Sequence, residues 1–296
     1  MQATMAGMRM NQHARLACLM LGCAAPTTLA QTNDHNHASL IIHDSKVSKE
    51  LNQALTGLVA RKATLNFEGF RRQLERRTCF LSLPAAANGG SSEPDLYRKT
   101  AESVLVVAKV YRCNECGKNH TSTASGFIIS QSGAFVTSYH VLDDPRMEGI
   151  AARTQDGTVR PVREVLVADK INDFVILQLE GSSFRPIPLA REAPVGSTVY
   201  VLSHPDGYFY MLTRGIVSRA ALRDERGGTQ IPLLDITADF AKGSSGAPVL
   251  NDQGAAVGIV RMTQSIYYSE NDHAKNDLQM VIKRCTPAAV ILDVIK

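Results

Sequence analysis

The stretch Gly243-Ser244-Ser245-Gly246-Ala247-Pro248 is where residue type and spacing first suggest chemistry. Glycines flanking a serine admit backbone conformations that a side chain forbids. Such a turn can push the Ser245 hydroxyl outward and aim the amides of Gly243 and Ser245 at one point. Two such donors would hold the oxyanion of an acyl-transfer intermediate, where losing one donor typically costs about 10²- to 10³-fold in rate. A tight turn in a β-protein would read the same way.

An alcohol becomes a nucleophile beside a base. His140, in Phe135-Val-Thr-Ser-Tyr-His140-Val141-Leu142, closes a predicted strand and is the candidate. A buried acceptor must in turn hold the imidazole in one tautomer. Asp173 opens the apolar run Asn172-Asp173-Phe-Val-Ile-Leu-Gln-Leu179, where an acid is costly unless something uses it. Asp169 competes for that role; Asp173 is preferred because it abuts the strand directly. The order His, Asp, Ser is one of the three known orders of such triads.

Short β-runs must carry these residues. Val104 to Val110 is rich in branched residues, and Gly126 to Ile129 and Ala134 to Thr137 flank a hairpin turn at Ser132-Gly133. Further runs are Val159 to Val167, Phe174 to Leu179, Ser197 to Leu202, Phe209 to Val217 and Ile231 to Ile236. Pro248 to Leu250, Ala256 to Val260 and Leu278 to Ile282 follow. About a dozen strands without intervening helices predict an all-β barrel or sandwich. Ahead of them, Val47, Leu51, Leu55, Leu58 and Val59, then Phe67, Phe70 and Leu74, recur at helical spacing. Arg71, Arg72, Arg76 and Arg77 there read as a solvated basic face. Pro84 to Ser92 reads as a linker, and Pro287 to Ile295 as a C-terminal helix.

Composition narrows the class. In 296 residues, 44% are hydrophobic and 20% charged, which excludes global disorder. The net charge of +4 is too small to suggest a nucleic-acid partner. No apolar run reaches the roughly 18 residues of a membrane-spanning helix. The first acid is Asp34. Before it, Arg9 and Arg15 precede the apolar run Leu16 to Ala25, and Thr28-Leu29-Ala30 offers small residues to a peptidase. That layout predicts a secretory signal over 1–30, with a transit peptide or lipoprotein processing at Cys23 as alternatives. Four cysteines would remain: Cys79, Cys113, Cys116 and Cys285. Disulfides are favoured over a metal, because Cys113-Asn-Glu-Cys116 with His120 is only half of a four-ligand knuckle. Pairing Cys113 with Cys116 would leave Cys79 and Cys285 to tie the two ends of the chain together. His35 and His37 are a weak metal hint, and His204 reads as a loop residue.

The stretches Ser125-Gly-Phe-Ile-Ile129, Val136-Thr137 with His140-Val141, Asn172 to Leu177, Gly215-Ile-Val-Ser218, Gly243 to Pro248 and Val257-Gly-Ile259 resemble the trypsin-fold serine proteases. The resemblance is in particular to the bacterial HtrA/Deg-like and related trypsin-like peptidases. The resemblance implies two perpendicular six-stranded β-barrels within residues 103–296, about 103–183 and 193–296, joined by a crossover near Gly181 to Pro194. Residues 31–102 would be a helical extension without a counterpart. It implies that Ser245 attacks the scissile carbonyl, that His140 moves the proton and that Asp173 orients His140. The amides of Gly243 and Ser245 would hold the oxyanion.

Several departures matter. Ser244 stands where many digestive relatives carry an aspartate that pairs with a newly cut N-terminus, so that mode of activation is not expected. The peptide-binding PDZ domain usual in HtrA proteins is not expected after residue 296. Asp239, six residues before Ser245, matches the distance of an acid that binds Lys or Arg side chains, or else braces its loop. Lys242 would favour acidic groups on the substrate or simply be solvated. The expectation is an exported, periplasmic or secreted serine endopeptidase acting on peptides or proteins. It would have no cofactor and no catalytic metal, and its oligomeric state is left open. The alternative is a catalytically silent binding module of the same fold.

Overall fold

A computed structural model describes residues 41–85, 89–224, 228–271 and 274–296, without the side chains of 270, 271 and 274. The expected leader, Cys23, His35 and His37 lie outside the described residues. Residues Ile42–Lys296 form one unit.

Two closed antiparallel barrels of six strands each make up the bulk of that unit, as the resemblance implies. The first contains β1 (Val104–Arg112), β2 (Asn119–Ile128), β3 (Ala134–Thr137), β4 (Met147–Arg153), β5 (Val159–Asp169) and β6 (Phe174–Leu179), in the order β1-β2-β3-β6-β5-β4. The second contains β7 (Thr198–Ser203), β8 (Met211–Asp224), β9 (Gln230–Ile236), β10 (Pro248–Leu250), β11 (Ala256–Asn271) and β12 (Ala274–Pro287), in the order β10-β11-β12-β9-β8-β7.

The unbroken apolar run of β1 has a structural cause. Leu105 and Val107 point into the first barrel's core, while Val104, Val106, Ala108 and Val110 face a second core outside it. A strand covered on both faces needs apolar residues at every position. What covers the outer face is largely helical. Helix α1 (Asp44–Ala60) buries Val47, Leu51 and Leu55 there, and α3 (Glu93–Thr100) adds Leu96. Helix α2 (Phe67–Arg71) inserts Phe70 into the core of the first barrel.

Several expectations need correcting. Strand β4 escapes the hydrophobic pattern because it uses Gly149, Ala151 and Ala152 rather than branched residues. Gly149 is small for a reason: a Cβ there would lie 2.6 Å from Thr64 and Val59, which pack against it. Helix α3 begins at the end of the expected linker, where the Ser92 hydroxyl accepts from the Asp95 amide as an N-cap. The basic face is not merely solvated. Arg76 donates to Glu164 (2.8 Å) and to the Val165 carbonyl (2.6 Å), and Arg77 to the Ala168 carbonyl (2.9 Å), stapling this segment along β5. The C-terminal helix is short, α4 (Ala288–Leu292).

The cysteines also differ from expectation: Cys79, Cys113, Cys116 and Cys285 are all free thiols. Cys285 points into the core of the second barrel, whereas Cys79 packs on the core shared with the helices, so the two cannot pair. The ends of the chain are tied by backbone instead. The Cys79 amide donates to the Val294 carbonyl (3.0 Å) and the Lys296 amide to the Cys79 carbonyl (2.8 Å). No helix among the described residues is long and apolar enough to cross a membrane.

Leu55 on α1 is fully buried against the barrels. Leu55→Ala is expected to lower the free energy of unfolding by about 2–5 kcal/mol, read from urea denaturation. An unchanged midpoint would mean that α1 is not part of the cooperative core.

Candidate active site

His140 sits in a single 3-10 turn, Tyr139–Val141, after β3, and its side chain is half exposed. Its Nε2 lies 3.0 Å from Ser245 Oγ. Its Nδ1 lies 2.9 Å from Asp173 Oδ2 and 3.1 Å from Oδ1, and its backbone amide also donates to Oδ1 (3.1 Å). An Nδ1–H donated to the carboxylate leaves Nε2 as the acceptor for a serine proton. The three side chains thus form a continuous chain from carboxylate to hydroxyl.

Asp173 is delivered by a strained turn. Its φ is +57°, a left-handed conformation that Asp tolerates better than most residues. Asp169 shapes that turn rather than reaching the imidazole. It accepts from the Asn172 amide (2.9 Å) and from Asn172 Nδ2 (2.7 Å). The second barrel holds the same turn from the other side. Thr286 Oγ1 donates to the Asn172 carbonyl (2.6 Å), and the Arg261 guanidinium to the Ile171 carbonyl (3.0 Å).

Arg261 is the residue that sequence reasoning missed. Its Nε lies 4.0 Å from Asp173 Oδ2, and the side chain is almost wholly buried. The signal was its place two residues after Ile259, on the strand that passes behind the acid. A long cation there holds the turn and adds positive charge beside the carboxylate.

The loop before Ser245 is set by backbone contacts. The Lys242 carbonyl accepts from the Asp206 amide at 2.6 Å. No peptide bond among the described residues is cis, and in a trans peptide C=O and N–H point to opposite sides. The Gly243 amide therefore points away from Asp206. The Ser244 and Gly246 amides are bonded to the carbonyls of Ala241 and Val260, whereas those of Gly243 and Ser245 have no acceptor among the described residues. Gly243 has φ +95°, and a Cβ there would lie 2.5 Å from the His204 carbonyl, so only glycine fits. Ser244, fully buried, donates its hydroxyl to Ser203 Oγ (3.0 Å).

The barrels are stitched together at this point. The Ser125 amide donates to the Ser245 carbonyl (2.9 Å), and Ser125 Oγ donates to the Gly243 carbonyl (3.0 Å). The remaining candidates lie apart from this chemistry. Asp239 is exposed and its carboxylate meets Lys283 Nζ at 3.1 Å. The Lys242 side chain is exposed. His204 is no ordinary loop residue: it is completely buried, its Nδ1 accepts from the Tyr210 amide (3.0 Å), and its own amide donates to Ser125 Oγ (3.1 Å).

Residues 124–259 match the family model of the trypsin-like peptidase domain. A probable periplasmic serine endoprotease DegP-like from Ectopseudomonas mendocina is 32% identical over 140 residues, 47% of this chain and 29% of that protein. The protein of the same description from Pseudomonas fulva is 29% identical over 183 residues, 59% of this chain and 37% of that protein. The chain thus spans well under half the length of these curated relatives. The crystal structure of the serine endoprotease from Yersinia pestis superposes with a TM-score of 0.51 at 22% identity, covering 70% of this chain and 66% of that one, which shows the shared fold.

Burial, with the Arg153 charge adding to it, pushes the His204 imidazole down to about 3. The unfolded chain therefore binds a proton that the folded one refuses between about pH 6.5 and 3. Stability is expected to be full above pH 6.5 and to fall as pH drops through that window, by up to about 1.4 kcal/mol per pH unit. Urea midpoints across pH should show this slope, and His204→Gln should flatten it; an equal slope in both proteins would refute the assignment.

Proposed function

We propose, from a chain that carries a trypsin-like peptidase domain, that this protein is a serine endopeptidase with Ser245 as nucleophile, His140 as general base and Asp173 as its orienting acid. The observation that carries the reading is the 3.0 Å contact between His140 Nε2 and Ser245 Oγ, with Asp173 on the far nitrogen. His140 takes the Ser245 proton as the oxygen attacks a peptide carbonyl. The tetrahedral oxyanion forms facing the free amides of Gly243 and Ser245. Collapse expels the amine, which receives the proton from His140, and leaves an acyl-enzyme that water hydrolyses by the same relay. Asp173 stabilises the transient imidazolium without itself being protonated.

The substrate class is a peptide or protein. The charge of Asp239 is matched by Lys283, which supports loop bracing over recognition of a basic side chain. Ser244 is held by Ser203, which supports a loop that needs no ion pair with a new N-terminus. We read the protein as periplasmic or secreted, from the acid-free leader and the periplasmic naming of its relatives.

A fluorophosphonate probe is expected to label the wild type at Ser245 and to spare Ser245→Ala. Labelling of neither would favour the silent binding module. Asp173→Asn is expected to lower peptide turnover by about 10⁴-fold, and Asp169→Asn far less; the reverse order would reassign the acid.

Arg261 gives a separate test. Its guanidinium holds the Ile171 carbonyl and lies 4.0 Å from Asp173 Oδ2, so it is expected to keep the turn that carries the acid in place. Arg261→Ala is expected to lower peptide turnover, and Arg261→Lys to lower it less. Unchanged turnover in Arg261→Ala would remove Arg261 from the positioning of Asp173.

A further inference from the structure

The turn between β1 and β2 closes on three side chains that the proposed chemistry does not use. Cys113, Cys116 and His120 bring one ligand atom each within 4.8 Å of one another. Cys116 Sγ and His120 Nε2 are 3.0 Å apart. No other group of this kind occurs among the described residues.

The turn is built as a knuckle. The Cys113 amide donates to the Lys118 carbonyl (2.9 Å) and the Gly117 amide to the Cys113 carbonyl (3.0 Å), so the chain reverses tightly around the two sulfurs. Gly117 takes φ +65°, a left-handed position suited to glycine.

His120 is placed by the strands. It lies opposite Tyr111 in the β1–β2 register, with the two rings 5.9 Å apart, and Arg146 stacks over Tyr111 at 5.0 Å. Next to it, Thr121 Oγ1 donates to Asn52 Oδ1 on α1 (2.6 Å), fixing this end of the hairpin to the body of the protein. The imidazole is therefore positioned by elements other than the cysteine turn itself, and the two meet.

The geometry points to a site for a thiophilic divalent cation of the zinc class, bound by Cys113 Sγ, Cys116 Sγ and His120 Nε2, with the fourth position open to water. Two thiolates and an imidazole are a donor set that suits zinc and disfavours calcium or magnesium. On binding, the thiols that are still protonated release their protons to solvent, and no electron is transferred. The site belongs to the hairpin tip, and its metal would lock that tip. It does not depend on the chemistry proposed for Ser245.

The test uses the full chain, reduced and stripped of metal. One equivalent of cobalt(II) is expected to give a near-ultraviolet thiolate charge-transfer band, with visible bands of a four-coordinate ion, and zinc should displace them. Cys113→Ser and Cys116→Ser should each remove about half of the charge-transfer intensity and weaken zinc binding by more than the roughly 10- to 100-fold that loss of a second-sphere partner costs. His120→Ala should weaken it while keeping the full charge-transfer band per bound ion. The three residues sit at an exposed or partly exposed tip, so the variants are expected to unfold at the wild-type urea midpoint without metal. Zinc should also slow amide exchange at residues 112–120 and block oxidation of the pair by oxidised glutathione. Uptake unchanged in the double serine variant would put the metal elsewhere. Oxidation to a Cys113–Cys116 disulfide at the same rate with and without zinc would overturn the site, as would failure to bind one equivalent of cobalt.

Discussion

A single buried serine of the first barrel, Ser125, fixes where the second barrel presents Ser245, the proposed nucleophile. Its amide holds the Ser245 carbonyl, its hydroxyl holds the Gly243 carbonyl, and the same hydroxyl accepts from the His204 amide. Its carbonyl accepts from Thr137 Oγ1, three residues before His140. One residue thus references both sides of the His140–Ser245 contact to a common point. The alternative, a site assembled from two independently drifting barrels, could not hold a donor–acceptor distance within the few tenths of an ångström that a hydrogen bond tolerates. Gly246 records how close the approach is: a Cβ there would lie 2.4 Å from Thr137 Oγ1 and 2.5 Å from the Ser125 carbonyl. Further bonds, Ser138 Oγ to the Val260 carbonyl and Thr286 Oγ1 to the Asn172 carbonyl, continue the seam past the imidazole.

Burial is graded along the three side chains. The Asp173 side chain is largely shielded and His140 half exposed. Shielding the acid strengthens its hold on Nδ1, while exposure of the imidazole leaves Nε2 open to a substrate. A buried carboxylate needs compensation, and here the backbone amide of His140 and the nearby Arg261 supply it together with the imidazole. The left-handed backbone at Asp173 is strain held by its surroundings: Asp169 braces the turn from within, and the second barrel grips it from outside.

Much of this was legible in the sequence because barrel strands carry strong local signals. The branched runs, the hairpin at Ser132-Gly133 and the acid at the mouth of an apolar strand each point to the element that contains them. What was illegible depends on contacts between distant segments. Strand β4 is made of small residues because α1 and the residues after it lie against it, and no local pattern reports that. The choice between Asp169 and Asp173 rested on one position of adjacency, yet the two have different jobs in the same turn. Arg261 reads as an ordinary charge within a strand; only folding brings it behind the acid. The cysteines misled because evenness of number says nothing about direction, and Cys285 points into a barrel core that Cys79 never reaches. Asp239 sits at a suggestive distance from Ser245 along the chain, but its side chain turns outward to Lys283.

The loop before Ser245 shows how far the resting protein is already arranged for the chemistry proposed. A peptide plane beside the nucleophile can present either its carbonyl or its amide to the cleft, and only the amide serves an oxyanion. Here the Lys242 carbonyl is taken by the Asp206 amide, within a segment where Asp206 adopts φ +49° and Gly207 φ +85°. The opposite flip would break that bond and present the oxyanion with a repelling dipole. The carbonyls of Gly243 and Ser245 are both taken by Ser125, and that of Ser244 by the Ala247 amide. Ser244 anchors the middle of the loop through Ser203, a neutral contact that is formed without any cleavage event. With these carbonyls committed to the protein, the amides of Gly243 and Ser245 are left without an acceptor among the described residues. For the chemistry proposed, the reorganisation that a flexible loop would need at each turnover would already be completed on folding, the form of preorganisation from which electrostatic stabilisation draws most of its effect.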